Sequence, residues 1–171
     1  LLLHRLEALG EAVFGGDLPD VVQDDTAPNP QSSYGAQKAI GEILLSDYSR
    51  KGFIDGRGLR LPTISVRPGK PNKAASSFAS GIMREPLNGE PAICPVTADT
   101  RLWLLSPRKV VECLIQGHDL DANALGNRCI VNLPGVSVFP ITPPSLGQGF
   151  RERAINFVIV SGDTYENMAR V

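Results

Sequence analysis

The stretch QSSYGAQKAIGEILL, residues 31–45, carries the signals of a helix start and sets a tyrosine four positions before a lysine. Ser32 or Ser33 suits the N-cap, because a serine hydroxyl can accept a hydrogen bond from a free N–H of the first turn. Apolar side chains then recur at helical spacing, at Ile40, Ile43, Leu44 and Tyr48. We therefore predict an amphipathic helix that begins at this serine pair and ends near Gly52.

The composition is that of a globular protein with balanced charge. The 171 residues are 42% hydrophobic and 20% charged, and 17 basic against 18 acidic residues give a net charge of −1. Because no block of basic residues stands out, neither nucleic acid nor an anionic membrane surface is expected as a partner. No apolar run reaches the roughly 18 residues that indicate a membrane-spanning helix.

Three cysteines, Cys94, Cys113 and Cys129, are widely spaced and form no C-x-x-C pair. An odd number of such cysteines favours reduced, buried thiols in a cytoplasmic protein over a metal site.

The first residues, LLLHRLEALGEA, have neither a basic segment before the leucines nor an initiator methionine. We expect no signal peptide here, and we expect the chain to begin partway through a longer sequence.

Helical and strand patterns alternate along the chain and predict an α/β fold. The expected strands are residues 59–66, 100–106 and 128–135, and the expected helices are 1–12, 76–87 and one that begins at Ser106 and Pro107. Pro62 marks a bulge or an edge in the first strand, and Pro86 is expected to end its helix. A Pro/Gly linker, residues 139–150, precedes a last strand and a helix.

Tyr34 and Lys38 project from one face of the predicted helix, because they lie four residues apart. A phenol with an ordinary pKa near ~10 is a poor base at neutral pH, and a nearby ammonium group stabilises the phenolate. The pair therefore suits a general acid/base tyrosine with an electrostatic partner, which can also reach a ribose hydroxyl of a nucleotide. Both residue types are common on helices, so a half-buried tyrosine beside a solvated lysine is the alternative.

Four segments resemble, in order, the motifs of the extended short-chain dehydrogenase/reductase family, which includes sugar-nucleotide epimerases and dehydratases. AVFG (12–15) resembles the end of the strand that carries the family's catalytic Ser or Thr, and PNPQSSYGAQKAIGE (28–42) resembles its catalytic helix. LRLPTISVRPGKPN (59–72) resembles the strand whose end faces the nicotinamide. TRLWLLSPRKVVECLI (100–115) resembles the segment whose arginine binds an anionic part of the substrate.

The amino-acid sequences of two segments, KPNKAASSFASGIMREPL (70–87) and TRLWLLSPRKVVECL (100–114), are most similar to the D-erythronate dehydrogenase subgroup. The resemblance extends over residues 12–138. It implies the C-terminal portion of a Rossmann-like NAD(P)-binding fold together with its substrate-binding subdomain.

The resemblance also implies roles for individual residues. Tyr34 would be the catalytic acid/base and Lys38 its electrostatic partner, and both would contact the cofactor. The other implied contacts are with the nicotinamide, by Leu61, Pro62 and Thr63, and with the substrate, by Ser76, Ser77, Arg84 and Arg101. The planar fork of Arg101 suits a substrate carboxylate. Surface ion pairs for the two arginines and N-caps for the two serines are the alternatives, and no metal is expected.

Two departures from the family pattern are visible. Gly10 stands where the family has its catalytic Ser or Thr, and no G-x-x-G-x-x-G turn for the dinucleotide pyrophosphate occurs in the chain. We therefore divide the chain into an atypical N-terminal segment (1–11), a partial family domain (12–138) and an atypical C-terminal tail (139–171). We expect a truncated relative that is inactive by itself.

For the function, the resemblance implies an NAD-dependent oxidoreductase of carbohydrate metabolism that acts on a small sugar acid similar to D-erythronate. NADP is an open alternative, because the residues that choose between the two cofactors would lie in the absent half. Two other functions remain open: a non-catalytic fragment or interaction subunit, and an NAD-dependent sugar-nucleotide epimerase. The family's dimer contact includes the catalytic helix, so the resemblance implies a possible homodimer through the Tyr34–Lys38 helix.

Overall fold

A computed structural model describes residues 3–19, 21–69, 75–97, 100–125, 128–141 and 156–159. The strands are β1 (Leu3–Gly10), β2 (Ile54–Leu61), β3 (Thr63–Ile64), β4 (Leu102–Leu105), β5 (Ile130–Asn132), β6 (Val136–Ile141) and β7 (Asn156–Ile159). The helices are α1 (Ser33–Arg50), α2 (Phe78–Leu87) and α3 (Pro107–Asp119). The chain divides into a first unit, Leu1–Pro62 with Arg108–Leu133, and a second unit, Thr63–Pro107 with Pro134–Val171.

The first unit is a parallel sheet in the order β1-β2-β5 with a helix on each face. Successive residues of a strand point to opposite faces of the sheet, and the contacts of β2 follow that rule. Arg60 of β2 contacts α1, whereas Leu59 meets Gly117 of α3. Strand β1, helix α1 and strand β2 therefore form a βαβ unit, as the predicted α/β class requires.

The helix predicted over residues 1–12 is wrong, because residues Leu3–Gly10 form β1. Every residue of this strand is paired in parallel with a residue of β2, from Leu3 with Ile54 to Gly10 with Leu61. The leucine spacing fits one face of a helix, but strands of a parallel sheet also read as apolar runs. The segment forms a strand because it pairs with β2, which is distant in sequence. The periodicity of twelve residues carries no information about such a pairing.

Strand β2 begins five residues before the predicted strand at Leu59, and the added part contains two glycines. Gly56 is required by close packing: a Cβ there would lie 2.5 Å from Ser49 Oγ and 2.7 Å from Leu45 Cδ1 of α1. A glycine inside a strand often marks such a close approach. At the other end, β2 stops at Leu61 and β3 begins at Thr63, so Pro62 interrupts the predicted strand.

The second unit contains a mixed sheet in the order β3-β4-β6-β7, and three side chains join α2 to the segment after β3. Ser65 Oγ donates to Ala79 O (2.8 Å), and Ser80 Oγ accepts from Arg67 N (3.0 Å). Arg84 Nη1 donates to Arg67 O at 2.6 Å. These hydrogen bonds fix α2 against the turn that follows β3.

Four smaller expectations have mixed outcomes. Helix α2 continues one residue past Pro86 and ends at Leu87, so the proline lies inside its last turn. The predicted linker over 139–150 is wrong at its start, where β6 extends to Ile141 and pairs with β7. The last predicted strand is confirmed by β7, whereas the helix predicted after it lies outside the described residues. Within the described ranges, the helices are too short or too polar to cross a membrane.

Candidate active site at the carboxyl edge of the parallel sheet

The start of helix α1 lies at the carboxyl edge of the first unit's sheet. A Cβ on Gly35 would lie only 2.0 Å from Ala12 O, in the short 3-10 turn that follows β1, so the helix and this turn are in direct contact. Asn29 N donates to Val13 O (2.9 Å) and closes the loop between them. In open α/β sheets, ligands bind outside the carboxyl ends of the strands.

The predicted N-cap is confirmed at Ser32. Its backbone is extended (φ −139°, ψ 156°), and its hydroxyl accepts a hydrogen bond from Gly35 N at 3.1 Å. This cap fixes where the helix begins. It places Tyr34 in the first turn, beside the loop that closes on β1.

Tyr34 and Lys38 lie together on α1, as their spacing predicts. The Lys38 Nζ atom is 5.7 Å from the centre of the Tyr34 ring, within the range of a cation–π contact. The Tyr34 side chain is 59% exposed, so a substrate can reach its hydroxyl. The structure thus brings the lysine ammonium group and the exposed tyrosine ring together on α1.

The end of β2 brings two of the predicted nicotinamide-lining residues, Leu61 and Pro62, to the same edge of the sheet. Leu61 pairs with Gly10, which is the last residue of β1. Pro62 is buried and follows directly. Thr63 is 9% exposed and begins β3 in the second unit. Leu61 and Pro62 therefore share the carboxyl edge with the start of α1.

The predicted substrate residues lie in the second unit. Ser76 and Ser77 are half-buried in the turn before α2. Ser77 stands at the N-cap position of that helix, as the alternative reading of this residue expects, although its side chain makes no capping hydrogen bond. Arg84 forms an ion pair with Glu85 in addition to its bond to Arg67 O. Arg101 is exposed and directly precedes β4.

A buried ion pair near this edge was not predicted from the sequence. Arg60 Nε and Nη2 donate to the two carboxylate oxygens of Glu42 at 2.8 and 2.7 Å, and each residue is only 4% exposed. Two signals were available: an arginine between two leucines at the start of the predicted strand 59–66, and a glutamate one helical turn after Lys38. Charged residues are almost never fully buried unless they are paired.

The three cysteines are free thiols, and burial raises the pKa of the Cys113 thiol above its ordinary value. Among the residues that the structure describes, no group of three His, Cys, Asp or Glu side chains is arranged to hold a metal ion. On the exposed side of α1, hydrogen bonds from Lys51 and Arg50 lower the pKa of Asp47. These groups lie outside the Tyr34–Lys38 pair.

Comparison with known proteins gives close relatives. Over 160 residues the chain is 64% identical to a protein of Cupriavidus necator named D-erythronate dehydrogenase, a match covering 94% of this chain and 48% of that protein. A protein of the same name from Haemophilus influenzae is 59% identical over 127 residues, which cover 74% of this chain and 40% of that one. No protein-family model matches the chain.

A solved structure agrees with the sequence relatives. The nucleoside-diphosphate-sugar epimerase of Agrobacterium tumefaciens superposes with a TM-score of 0.74 at 51% identity, over 78% of this chain and 39% of that one. These matches confirm the resemblance stated from the motifs, and with it the Rossmann-like α/β class: the chain is homologous to part of the epimerase/dehydratase proteins of the extended short-chain dehydrogenase/reductases. Its relatives at 64% and 59% identity carry the name D-erythronate dehydrogenase, and the chain spans about half the length of these curated relatives, or less.

Proposed function

We propose that the chain carries the acid/base part of an NAD-dependent oxidoreductase that acts on a small sugar acid of the D-erythronate type. The observation that carries this proposal is the placement of Tyr34, with Lys38 beside its ring, at the carboxyl edge of a parallel sheet. The names of the relatives supply the substrate class. Three free thiols support a cytoplasmic location, where cysteines stay reduced.

In this proposal Tyr34 removes the proton from a substrate hydroxyl while the adjacent carbon gives up a hydride. The bound nicotinamide cofactor, NAD or NADP, supplies the hydride acceptor. Lys38 stabilises the phenolate form of Tyr34, so that the proton moves from the substrate oxygen to the tyrosine oxygen. Leu61 and Pro62 stand at the strand end where the cofactor ring would pack, and Thr63 follows them. In the second unit, Arg101 is the proposed group for the substrate carboxylate, with Ser76, Ser77 and Arg84 as further polar contacts.

The residues of this chain fit a nicotinamide cofactor and its substrate only in part. The start of α1 at the sheet edge offers a polar, accessible position for the nicotinamide end of a dinucleotide. Gly10, at the end of β1, has no hydroxyl that could bind the reacting substrate oxygen. The alternative that this observation favours is a non-catalytic fragment or interaction subunit, in which Tyr34 and Lys38 stand without a working site.

The test is a pair of measurements on the purified protein with Tyr34→Phe and Tyr48→Phe variants. Tyr48 is a matched control, because it lies on the same helix and packs edge-on against Phe53 at 5.9 Å. The oxidoreductase proposal predicts that NADH binds with enhanced fluorescence, and that NADH forms from NAD and D-erythronate, followed by absorbance at 340 nm. Tyr34→Phe should abolish turnover and keep NADH binding, while Tyr48→Phe should keep both. If the protein is folded but neither binds NADH nor forms it from NAD and D-erythronate, the result contradicts the oxidoreductase proposal and favours the non-catalytic alternative.

A sugar-nucleotide epimerase is the second candidate, and the 51% identity to a solved nucleoside-diphosphate-sugar epimerase is what favours it. An epimerase returns its hydride to the substrate, so no net NADH accumulates. Incubation with UDP-sugars and chromatography of the products separates the two functions. Epimer formation without a rise at 340 nm would select this candidate over the dehydrogenase.

A homodimer through α1 is part of the same proposal. Ile40, Ile43 and Leu44 are 57, 69 and 53% exposed, so the apolar stripe predicted on this helix faces outward. Covering it with a second copy would remove that apolar surface from water. We expect the parent protein to sediment as a dimer and Ile43→Glu to sediment as a monomer. Val111→Glu, at an exposed position of α3, is the control, and a monomeric parent contradicts this contact.

A further inference from the structure

The buried pair of Glu42 and Arg60 joins α1 to β2 by a two-point contact. Both carboxylate oxygens of Glu42 accept hydrogen bonds from the arginine, at 2.8 and 2.7 Å. Such a fork–fork arrangement fixes both the distance and the orientation of its two partners. A shift of α1 along or around its axis breaks at least one of the two bonds.

Arg60 also holds the loop that connects β1 to α1. Its Nη1 atom donates to Asp24 O at 3.3 Å, and to Asn132 Oδ1 of β5 at 3.5 Å. Its guanidinium lies 4.8 Å from the centre of the Phe14 ring. One side chain of the central strand thus contacts the helix, the loop and the neighbouring strand.

These contacts involve the helix and the strand that carry the proposed active site, but none of its residues. Glu42 lies one turn after Lys38 and two turns after Tyr34 on α1, and Arg60 directly precedes Leu61 and Pro62 on β2. The pair therefore links the helix that carries the acid/base tyrosine to the strand end that would hold the nicotinamide. A buried ion pair is weak evidence for a role in stability, because apolar residues of similar volume often stabilise a buried site as well or better.

We propose that Glu42 and Arg60 are positioning residues, which set the place of Tyr34 and Lys38 relative to the end of β2. The inference rests on the proposed function of the Tyr34–Lys38 site. It assigns the ion pair a role in the geometry of the reaction, distinct from any contribution to folding.

The deciding variant replaces both partners, as Glu42→Leu with Arg60→Met, because a single change leaves one buried charge unpaired and endangers the fold. A purely structural role predicts that this apolar pair lowers the melting temperature, because the bonds of Arg60 to Asp24 O and Asn132 Oδ1 are also lost, and that the folded variant keeps the parent activity. The positioning role predicts that kcat of the folded variant is lower by about 10- to 100-fold and KM is near the parent value, since small misplacements of reacting groups have effects of this size. Asp47→Asn, which breaks an exposed ion pair on the same helix, should leave kcat and KM unchanged.

A second readout needs no turnover and so separates this inference from the proposed function. Labelling with 3-fluorotyrosine gives a fluorine resonance for Tyr34, assigned through Tyr34→Phe, and one for Tyr48. In the apolar double variant we expect the Tyr34 resonance to shift beyond its linewidth and the Tyr48 resonance to stay. An unchanged Tyr34 resonance, or a kcat equal to that of an active parent, overturns the inference. If the parent shows no turnover, the proposed function fails and the fluorine result alone decides. Should the double variant not fold, Arg60→Lys takes its place, because lysine keeps the charge but cannot form the two-point contact with Glu42. The same kinetic and fluorine measurements are then made on this variant.

Discussion

Gly35 shows how one missing side chain determines where the candidate site lies. The residue belongs to the first turn of α1, next to Tyr34, and an added Cβ would overlap Ala12 O at 2.0 Å. The obstacle is backbone, so it cannot rotate away as the tip of a flexible side chain can. A larger residue must push the start of the helix away from the turn after β1.

We predict that Gly35→Ala lowers the free energy of unfolding by about 1–3 kcal/mol, the usual range for overpacking a tight site. Gly41→Ala is the matched control, because it lies on the same helix and a Cβ there meets no atom within 4 Å. Alanine is the better helix former by about 1 kcal/mol, so Gly41→Ala should leave the protein unchanged or more stable. Urea unfolding followed by circular dichroism measures both. Equal effects at the two positions would contradict the close contact.

Helix α1 was predictable because its signals are local. The serine cap, the Tyr34–Lys38 spacing and the outward apolar stripe all lie within 20 residues, and the structure confirms the start of the helix at the serine pair. Strand β1 was not predictable in the same way, since its leucines fit a helix and only the pairing with β2 decides otherwise. The Glu42–Arg60 pair was missed for a related reason, because its partners lie 18 residues apart on different elements.

The cap provides a test at the scale of the element. Ser32→Ala removes the acceptor for Gly35 N, and we predict a loss of about 1 kcal/mol in the free energy of unfolding, as for other N-cap replacements. Ser33→Ala, one residue inside the helix at an exposed position, should change the free energy by no more than about 0.5 kcal/mol. Thermal and urea unfolding give both values. A larger effect at Ser33 would move the cap to that residue.

At the scale of the whole molecule, the path of the chain matters more than any single contact. The chain leaves the first unit after Pro62, builds part of the second unit, and returns to the first at Arg108. The returning segment supplies helix α3 and strand β5. Without it, Leu59, which is 2% exposed in the structure, loses the covering contact with Gly117.

We predict that a chain ending at Pro107 does not form the first unit, although that unit's β1, α1 and β2 are all present in it. The reason is the loss of α3 from one face of the sheet and of β5 from its edge. The expected signs are binding of a hydrophobic dye and rapid hydrogen exchange at the amides of residues 54–61. Slow exchange there, comparable to that of the parent, would show that β1, α1 and β2 are sufficient.

The same interleaved path has a consequence during protein synthesis. The segment Thr63–Pro107 separates the two parts of the first unit. At about 5–20 residues per second, a ribosome needs about two to nine seconds to produce these roughly 45 residues. For that interval the residues of β2 have been made, but α3, which covers Leu59 in the folded protein, has not. Leu59 is then uncovered, as apolar residues of an incomplete domain are during synthesis, and it is covered when α3 emerges.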